Sequence, residues 1–247
     1  MEGIEIRGLT KRYKDTVAVD GLTLSIAPGE LFALLGVNGA GKTTTVKMLS
    51  CLVDPTDGDA TLNGESILGA ARKVKEQIAI SPQETSVAMK LTVKENLEFI
   101  ARIHGFTKEK TEEKVREAEE RFHLGEVMKK AAGKLSGGWQ RKVSIAMALI
   151  TEPRFLFLDE PTLGLDVLSR YDLWEIIRSL KGRVTVILTT HYMEEAEALS
   201  DRIGIMRAGK LITVGTADEI KRQTGCEKFE DAFIKIVRKE ENPSCGH

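Results

Sequence analysis

The sequence predicts an α/β protein with a buried parallel sheet, an antiparallel β region ahead of it and a helical insertion in the middle. Three observations predict it. The continuous apolar runs at 31–35, 155–158 and 184–188 have strand length and lack the alternation of a half-exposed strand, which is the pattern of strands covered on both faces. The stretches before residue 27 read as short strands. From about residue 90 apolar side chains recur at helical spacing instead.

Taken in order, IEIRGLTKRY at 4–13 and LTLSI at 22–26 read as antiparallel strands, followed by a turn at Ala27, Pro28, Gly29 and Glu30. The apolar run at 31–35 leads through a Gly-rich loop into a helix over 43–52, which stops near Asp54 and Pro55. TLNG at 61–64 and the stretch 77–81 read as further short strands. Val93, Leu97, Ile100 and Ile103 place a helix over 92–104, the charged segment 108–122 has the same period, and Val143, Met147 and Ile150 share one face of a helix over 139–150. RIGIMRAGKLITVG at 202–215 reads as two strands around Ala208 and Gly209, and two short helices close the chain.

Composition narrows the function. In 247 residues, 42% hydrophobic and 30% charged, Lys and Arg (36) nearly cancel Asp and Glu (37), so no whole-molecule basic field exists for nucleic acid or an anionic membrane. Cys51, Cys226 and Cys245 form no CxxC pair, which argues against a disulfide framework or zinc site and for a reducing compartment; Cys245 and His247 receive no role. No signal-peptide core opens the sequence, and no apolar run approaches the roughly 20 residues that span a bilayer. The expectation is a cytoplasmic protein, at a membrane only if a partner holds it there.

Residues 36–43 read GVNGAGKT, which matches G-x-x-x-x-G-K-[ST] between a buried strand and a helix, where a phosphate cradle belongs. Gly36, Gly39 and Gly41 let backbone N–H groups around Val37, Asn38 and Ala40 turn inward on an anion, and the following helix adds the positive end of its dipole. Lys42 is expected to reach the β- and γ-phosphates, and the Thr43 hydroxyl to coordinate Mg²⁺. FLFLDE at 155–160 puts Asp159 and Glu160 at the C-terminal end of a buried strand, the edge where open parallel sheets bind ligands. Asp159 suits the metal and Glu160 the attacking water, while a solvated strand end is the alternative. LSGG at 135–138 precedes a helix, so Ser136, Gly137 and Gly138 could form a second anion site, or Ser136 could simply cap that helix.

In this order the residues resemble the nucleotide-binding subunit of ATP-binding cassette (ABC) transporters, over about residues 2–235. Tyr13 matches the aromatic that stacks on adenine, GVNGAGKTT (through Thr44) the Walker A loop, Gln83 in SPQE the Q-loop, LSGG the signature, FLFLDEP the Walker B strand, LGLD at 163–166 the D-loop and His191 the switch histidine. The resemblance implies a P-loop NTPase (RecA-like) core with an N-terminal antiparallel β subdomain, an inserted α-helical subdomain at about 88–152, and a tail at 236–247. It further implies ATP and Mg²⁺, a head-to-tail dimer with each ATP between one copy's loop and the other's signature, Gln83 linking γ-phosphate and Mg²⁺ to the transport partner, His191 steadying γ-phosphate and water, and Asp166 touching the opposite subunit. Read singly, Tyr13 could be a strand aromatic, Gln83 a surface amide, Asp166 a helix cap and His191 a strand end.

Trp139 stands where the family usually has Gln, Val37 where it often has Pro, and Leu163 where it usually has Ser; the first and last bear on polar contacts across the dimer. The stretch at 190–216 and FEDAFIKIV at 229–237 resemble ATPase subunits of drug, antibiotic or polysaccharide exporters, which serve separate membrane permeases gripped between the Gln83 loop and the helix starting near Thr92. Ribosome- or DNA-acting ABC ATPases are the second reading, disfavoured by a single cassette without sustained heptads. A non-hydrolysing regulator is the third, disfavoured by Glu160 and His191; an unrelated P-loop kinase would have no reason to carry LSGG.

Overall fold

The computed structural model describes residues 2–239, so Cys245 and His247 lie outside the described residues. The chain opens with β1 (Ile4–Tyr13), β2 (Thr16–Ile26), β3 (Leu31–Gly36), α1 (Lys42–Leu49), β4 (Asp57–Leu62), β5 (Glu65–Ser66), α2 (Ala71–Lys75) and β6 (Ile78–Ser81). The helical insertion follows, with α3 (Val93–Ile103), α4 (Lys108–Phe122), a 3₁₀ turn (Ala132–Lys134) and α5 (Gly137–Leu149). The last part comprises β7 (Phe155–Asp159), α6 (Val167–Arg178), β8 (Thr185–Thr190), α7 (Met193–Leu199), β9 (Arg202–Arg207), β10 (Lys210–Gly215), α8 (Ala217–Thr224) and α9 (Phe229–Lys239).

The strands form two sheets. One is antiparallel, ordered β2-β1-β4-β5; the other is ordered β10-β9-β3-β8-β7-β6, parallel except for β10 at its edge. Every residue of β3, β7 and β8 is buried, including the polar Asp159, Thr185, Thr189 and Thr190 at the strand ends, and their central residues are apolar, the pattern of strands covered on both faces. Their two-residue side-chain period divides them between cores. Phe32, Leu34, Phe155, Phe157 and Ile187 face the core shared with the antiparallel sheet, whereas Leu156, Leu158, Val186 and Leu188 face the core shared with α3–α6. Ala33, Leu35, Ile203 and Ile205 meet Ala196, Ile220, Phe229 and Phe233 in a third core beneath the C-terminal helices.

Several expected boundaries move. β2 begins at Thr16, well before residue 22, and its pairing with β1 absorbs three register shifts. Asn63 and Gly64, expected in a strand, form the turn after β4, both with positive φ. Helix α1 starts at Lys42 and ends at Leu49. α9 continues past residue 235 to Lys239, and Ile236 and Val237 pack on the third core. The first two insertion helices are capped by side chains: Thr92 and Glu95 form a reciprocal capping box on α3, and the Thr107 hydroxyl accepts from Lys110 N on α4.

Candidate active site

Strand β8 lies between β3 and β7, so the C-terminal ends of these three neighbours bring Gly36, Asp159 and His191 to one sheet edge. A cleft of about 760 Å³ opens there. Its walls include Tyr13, Asn38, Gly39, Ala40, Gly41, Lys42, Thr43, Thr44, Gln83, Glu160 and His191, all anticipated from the sequence. The loop's shape comes from Gly39 and Gly41, with φ of 80° and 104°, and from anchoring behind it: Gly209 N donates to Ala40 O at 3.0 Å and Lys42 Nζ to Gly36 O at 2.7 Å. Val37 O also accepts from Lys42, at 3.3 Å.

The charged groups form a chain. Lys42 Nζ lies 3.3 Å from Glu160 Oε1, and Glu160 Oε2 lies 2.7 Å from His191 Nδ1. Glu160 is buried and takes a positive φ of 49°, while its N–H donates to Thr189 O and Thr189 Oγ1, each at 3.1 Å. This left-handed backbone at the strand end lets adjacent carboxylates serve one cleft despite the two-residue period. Asp159 is buried beneath the loop, where its Oδ1 accepts from Thr43 Oγ1 at 3.0 Å and from the Thr189 hydroxyl. A hydroxyl and a carboxylate meeting beside a phosphate cradle are the hard oxygen donors that Mg²⁺ takes, so the residues fit that ion.

Ser136, Gly137, Gly138 and Asp166 do not line this cleft. They gather at a second place, because an added Cβ on Gly138 would fall 2.6 Å from Ser169 Oγ, and Ser169 Oγ donates to Asp166 Oδ2 at 2.7 Å. Asp166 also caps α6, its Oδ1 accepting from Ser169 N at 3.0 Å, and these bonds, the side-chain one foremost, hold its carboxyl below the usual aspartate range. Ser136 occupies the N-cap position of α5, yet among the described residues its exposed hydroxyl makes no capping bond, which leaves that hydroxyl available. Tyr13 ends β1 with 44% of its surface exposed and Lys11 Nζ 5.2 Å from its ring centroid, so it is both strand aromatic and cleft wall.

Two residues of the site, Arg141 and Thr189, carry no sequence signal. Arg141, buried on α5, donates Nη1 to Pro82 O at 2.6 Å and Nη2 to Gln83 O, tying the signature helix to the Gln83 loop; burial holds its guanidinium below the usual arginine range, opposed by Asp159. Thr189 serves both acidic residues, and Leu163 lines the cleft. Trp139 packs at the margin of the core around α3–α6, 4.9 Å from Lys142 Nζ, and Lys142 pairs with Asp172 of α6 at 2.8 Å.

The family described as "ABC transporter" matches residues 19–163. The chain is 42% identical over 228 residues to the daunorubicin resistance ATP-binding protein DrrA3 of Streptomyces coeruleorubidus, covering 92% of this chain and 72% of that protein. It is 41% identical over 229 residues to the Nod factor export ATP-binding protein I of Burkholderia pseudomallei (strain 1710b), covering 92% and 75% respectively. A solved structure of the ATP binding subunit of an ABC transporter superposes with a TM-score of 0.84 at 29% identity, over 94% of this chain and 98% of that one.

Proposed function

The chain belongs to the ABC transporter family, and from that premise we propose that it is the Mg²⁺-dependent ATPase subunit of an exporter, working at the inner face of the cell membrane through a separate permease. The observation that carries this reading is the chain Lys42–Glu160–His191 at the mouth of the glycine-rich loop. Amide groups of the loop and Lys42 bind the β- and γ-phosphates, and Tyr13 stacks on the base. Thr43 and Asp159, with Gln83 beside them, would hold Mg²⁺, whose charge offsets that developing on the phosphate oxygens. Glu160 polarises the attacking water, and His191, hydrogen-bonded to Glu160, steadies it and the γ-phosphate.

The separation of Ser136 and Asp166 from the loop of the same chain supports a head-to-tail dimer, in which a second copy presents its signature to the bound nucleotide. Closure of the two copies then excludes water from the site, and reopening after hydrolysis drives the permease. A groove lined by Leu52, Ile78, Ile80, Ile100 and Met147, between the Gln83 segment and α3, supports permease docking. Among the described residues no helix is long and apolar enough to cross a membrane, in keeping with a separate permease. Glu160→Gln is the test: ATP affinity stays within about twofold while turnover falls by roughly a thousandfold. Hydrolysis at the normal rate would remove Glu160 from its role.

A further inference from the structure

Glu195 lies on the first turn of α7, and its side chain is completely buried. None of the steps above uses it. A carboxyl in such a place is costly unless partnered. Oε1 accepts from Thr162 Oγ1 at 2.8 Å and from Trp174 Nε1 at 3.1 Å, whereas Oε2 finds no hydrogen-bond partner among the described residues. Burial pushes the carboxyl's pKa upward against the pull of Thr190, Thr162 and Trp174, and the charge of Glu160 adds to the rise.

The partners come from segments that carry the reactive groups. Thr162 follows Glu160 and Pro161, Trp174 belongs to the helix capped by Asp166, and the turn between β8 and α7, which leads directly into the helical turn bearing Glu195, holds His191. We propose that Glu195 is a positioning residue for ATP hydrolysis: through Thr162 and Trp174 it clamps the segment after Glu160 and helix α6 to the base of α7, setting Glu160, His191 and the Asp166 loop in one register. An apolar residue of similar size would fill the space but strand the Thr162 hydroxyl and the indole N–H without an acceptor. A shared acceptor fixes both in direction as well as in distance. The proposal rests on Glu160 polarising the attacking water.

The test compares kcat, ATP affinity and thermal midpoint for the full chain carrying Glu195→Ala, Glu195→Gln, Thr162→Val and the Glu195→Ala/Thr162→Val double substitution. Displacing reacting groups by a fraction of an ångström should lower kcat by roughly tenfold to a hundredfold in Glu195→Ala, with ATP affinity within about twofold. Thr162→Val should lower kcat in the same sense, and the double variant should be no slower than Glu195→Ala, because one bond is removed twice. Glu195→Gln keeps an acceptor oxygen and should recover kcat to within about threefold of the parent.

Wild-type kcat in folded Glu195→Ala, additive losses in the double variant, or no rescue by Gln would each overturn the proposal. If Glu195→Ala does not fold, Thr162→Val decides alone: reduced kcat at an unchanged thermal midpoint and ATP affinity supports the clamp, and unchanged kcat refutes it. Normal hydrolysis by Glu160→Gln would sink the underlying reading instead, an outcome separable from any result at Glu195.

Discussion

Replacing Gly41 by Ala tests whether the phosphate loop owes its shape to the strands behind it. Gly41 precedes α1 with φ 104° and ψ 0°, and an added Cβ would stand 2.4 Å from the carbonyl oxygen of Ala18 on β2. Two costs combine. The backbone region is one that side-chain-bearing residues rarely enter, at about 1–3 kcal/mol, and forcing a methyl group against a backbone carbonyl adds about 1–3 kcal/mol more. Gly39 supplies the control, since it also has a positive φ, 80°, but open space where its Cβ would go. Urea unfolding followed by circular dichroism should therefore show Gly41→Ala destabilised by about 2–6 kcal/mol and Gly39→Ala by only about 1–3 kcal/mol. Relieving the contact moves the loop amides, so ATP affinity in Gly41→Ala should fall at least about tenfold, a loss of about 1.4 kcal/mol measurable by calorimetric titration. Equal destabilisation by the two substitutions would refute the idea that β2 limits the loop.

Two further outcomes follow from caps and charges. Thr92→Ala removes the hydroxyl half of the α3 capping box and should cost about 1 kcal/mol in urea unfolding, with ATP affinity unchanged; no loss would mean that the cap adds nothing to α3. Because Glu195 has a raised pKa in the folded state, the native protein binds its proton more firmly than the unfolded chain, and stability falls as pH rises above the unfolded value of about 4.3. Glu195→Gln abolishes that loss, so its stability relative to the parent should climb with pH from about 4.3 upward; a pH-independent difference would contradict the raised pKa.

What could be read in the sequence was whatever repeats locally. β1 and α4 match their expected bounds, because one has strand composition bounded by a turn and the other a sustained helical period. α2 and β5 are too short to show any period, and they are held by neighbours: Val74 is buried in the core shared with the antiparallel sheet, and β5 pairs with the end of β4. The front half of β2 hides behind Thr16, Asp20 and Gly21, and its pairing depends on bulges that no local pattern announces. The contiguous elements of the site were legible for the same reason, since a phosphate loop needs its glycines, lysine and threonine side by side.

Residues that act across the fold were not. Arg141 meets the Gln83 loop, Thr189 meets Asp159, and Glu195 meets Thr162 and Trp174, all across long stretches of sequence, and each looks like an ordinary helix or strand residue. Trp139 illustrates the converse. Its place after LSGG draws attention to the dimer, whereas its observed packing, with Lys142 and Asp172, joins α5 to α6 within one chain. The cap readings of Asp166 and Ser136 also separate: Asp166 does cap its helix, and the Ser136 hydroxyl does not.

The most direct measurement is sedimentation equilibrium of the Glu160→Gln protein with and without Mg²⁺-ATP, repeated with Ser136→Arg added. If two copies share each nucleotide, the first protein is dimeric only with ATP, and adding Ser136→Arg leaves it monomeric while ATP still binds its own loop, more weakly than in the dimer. A dimer that persists with Arg at the exposed signature serine would contradict the account.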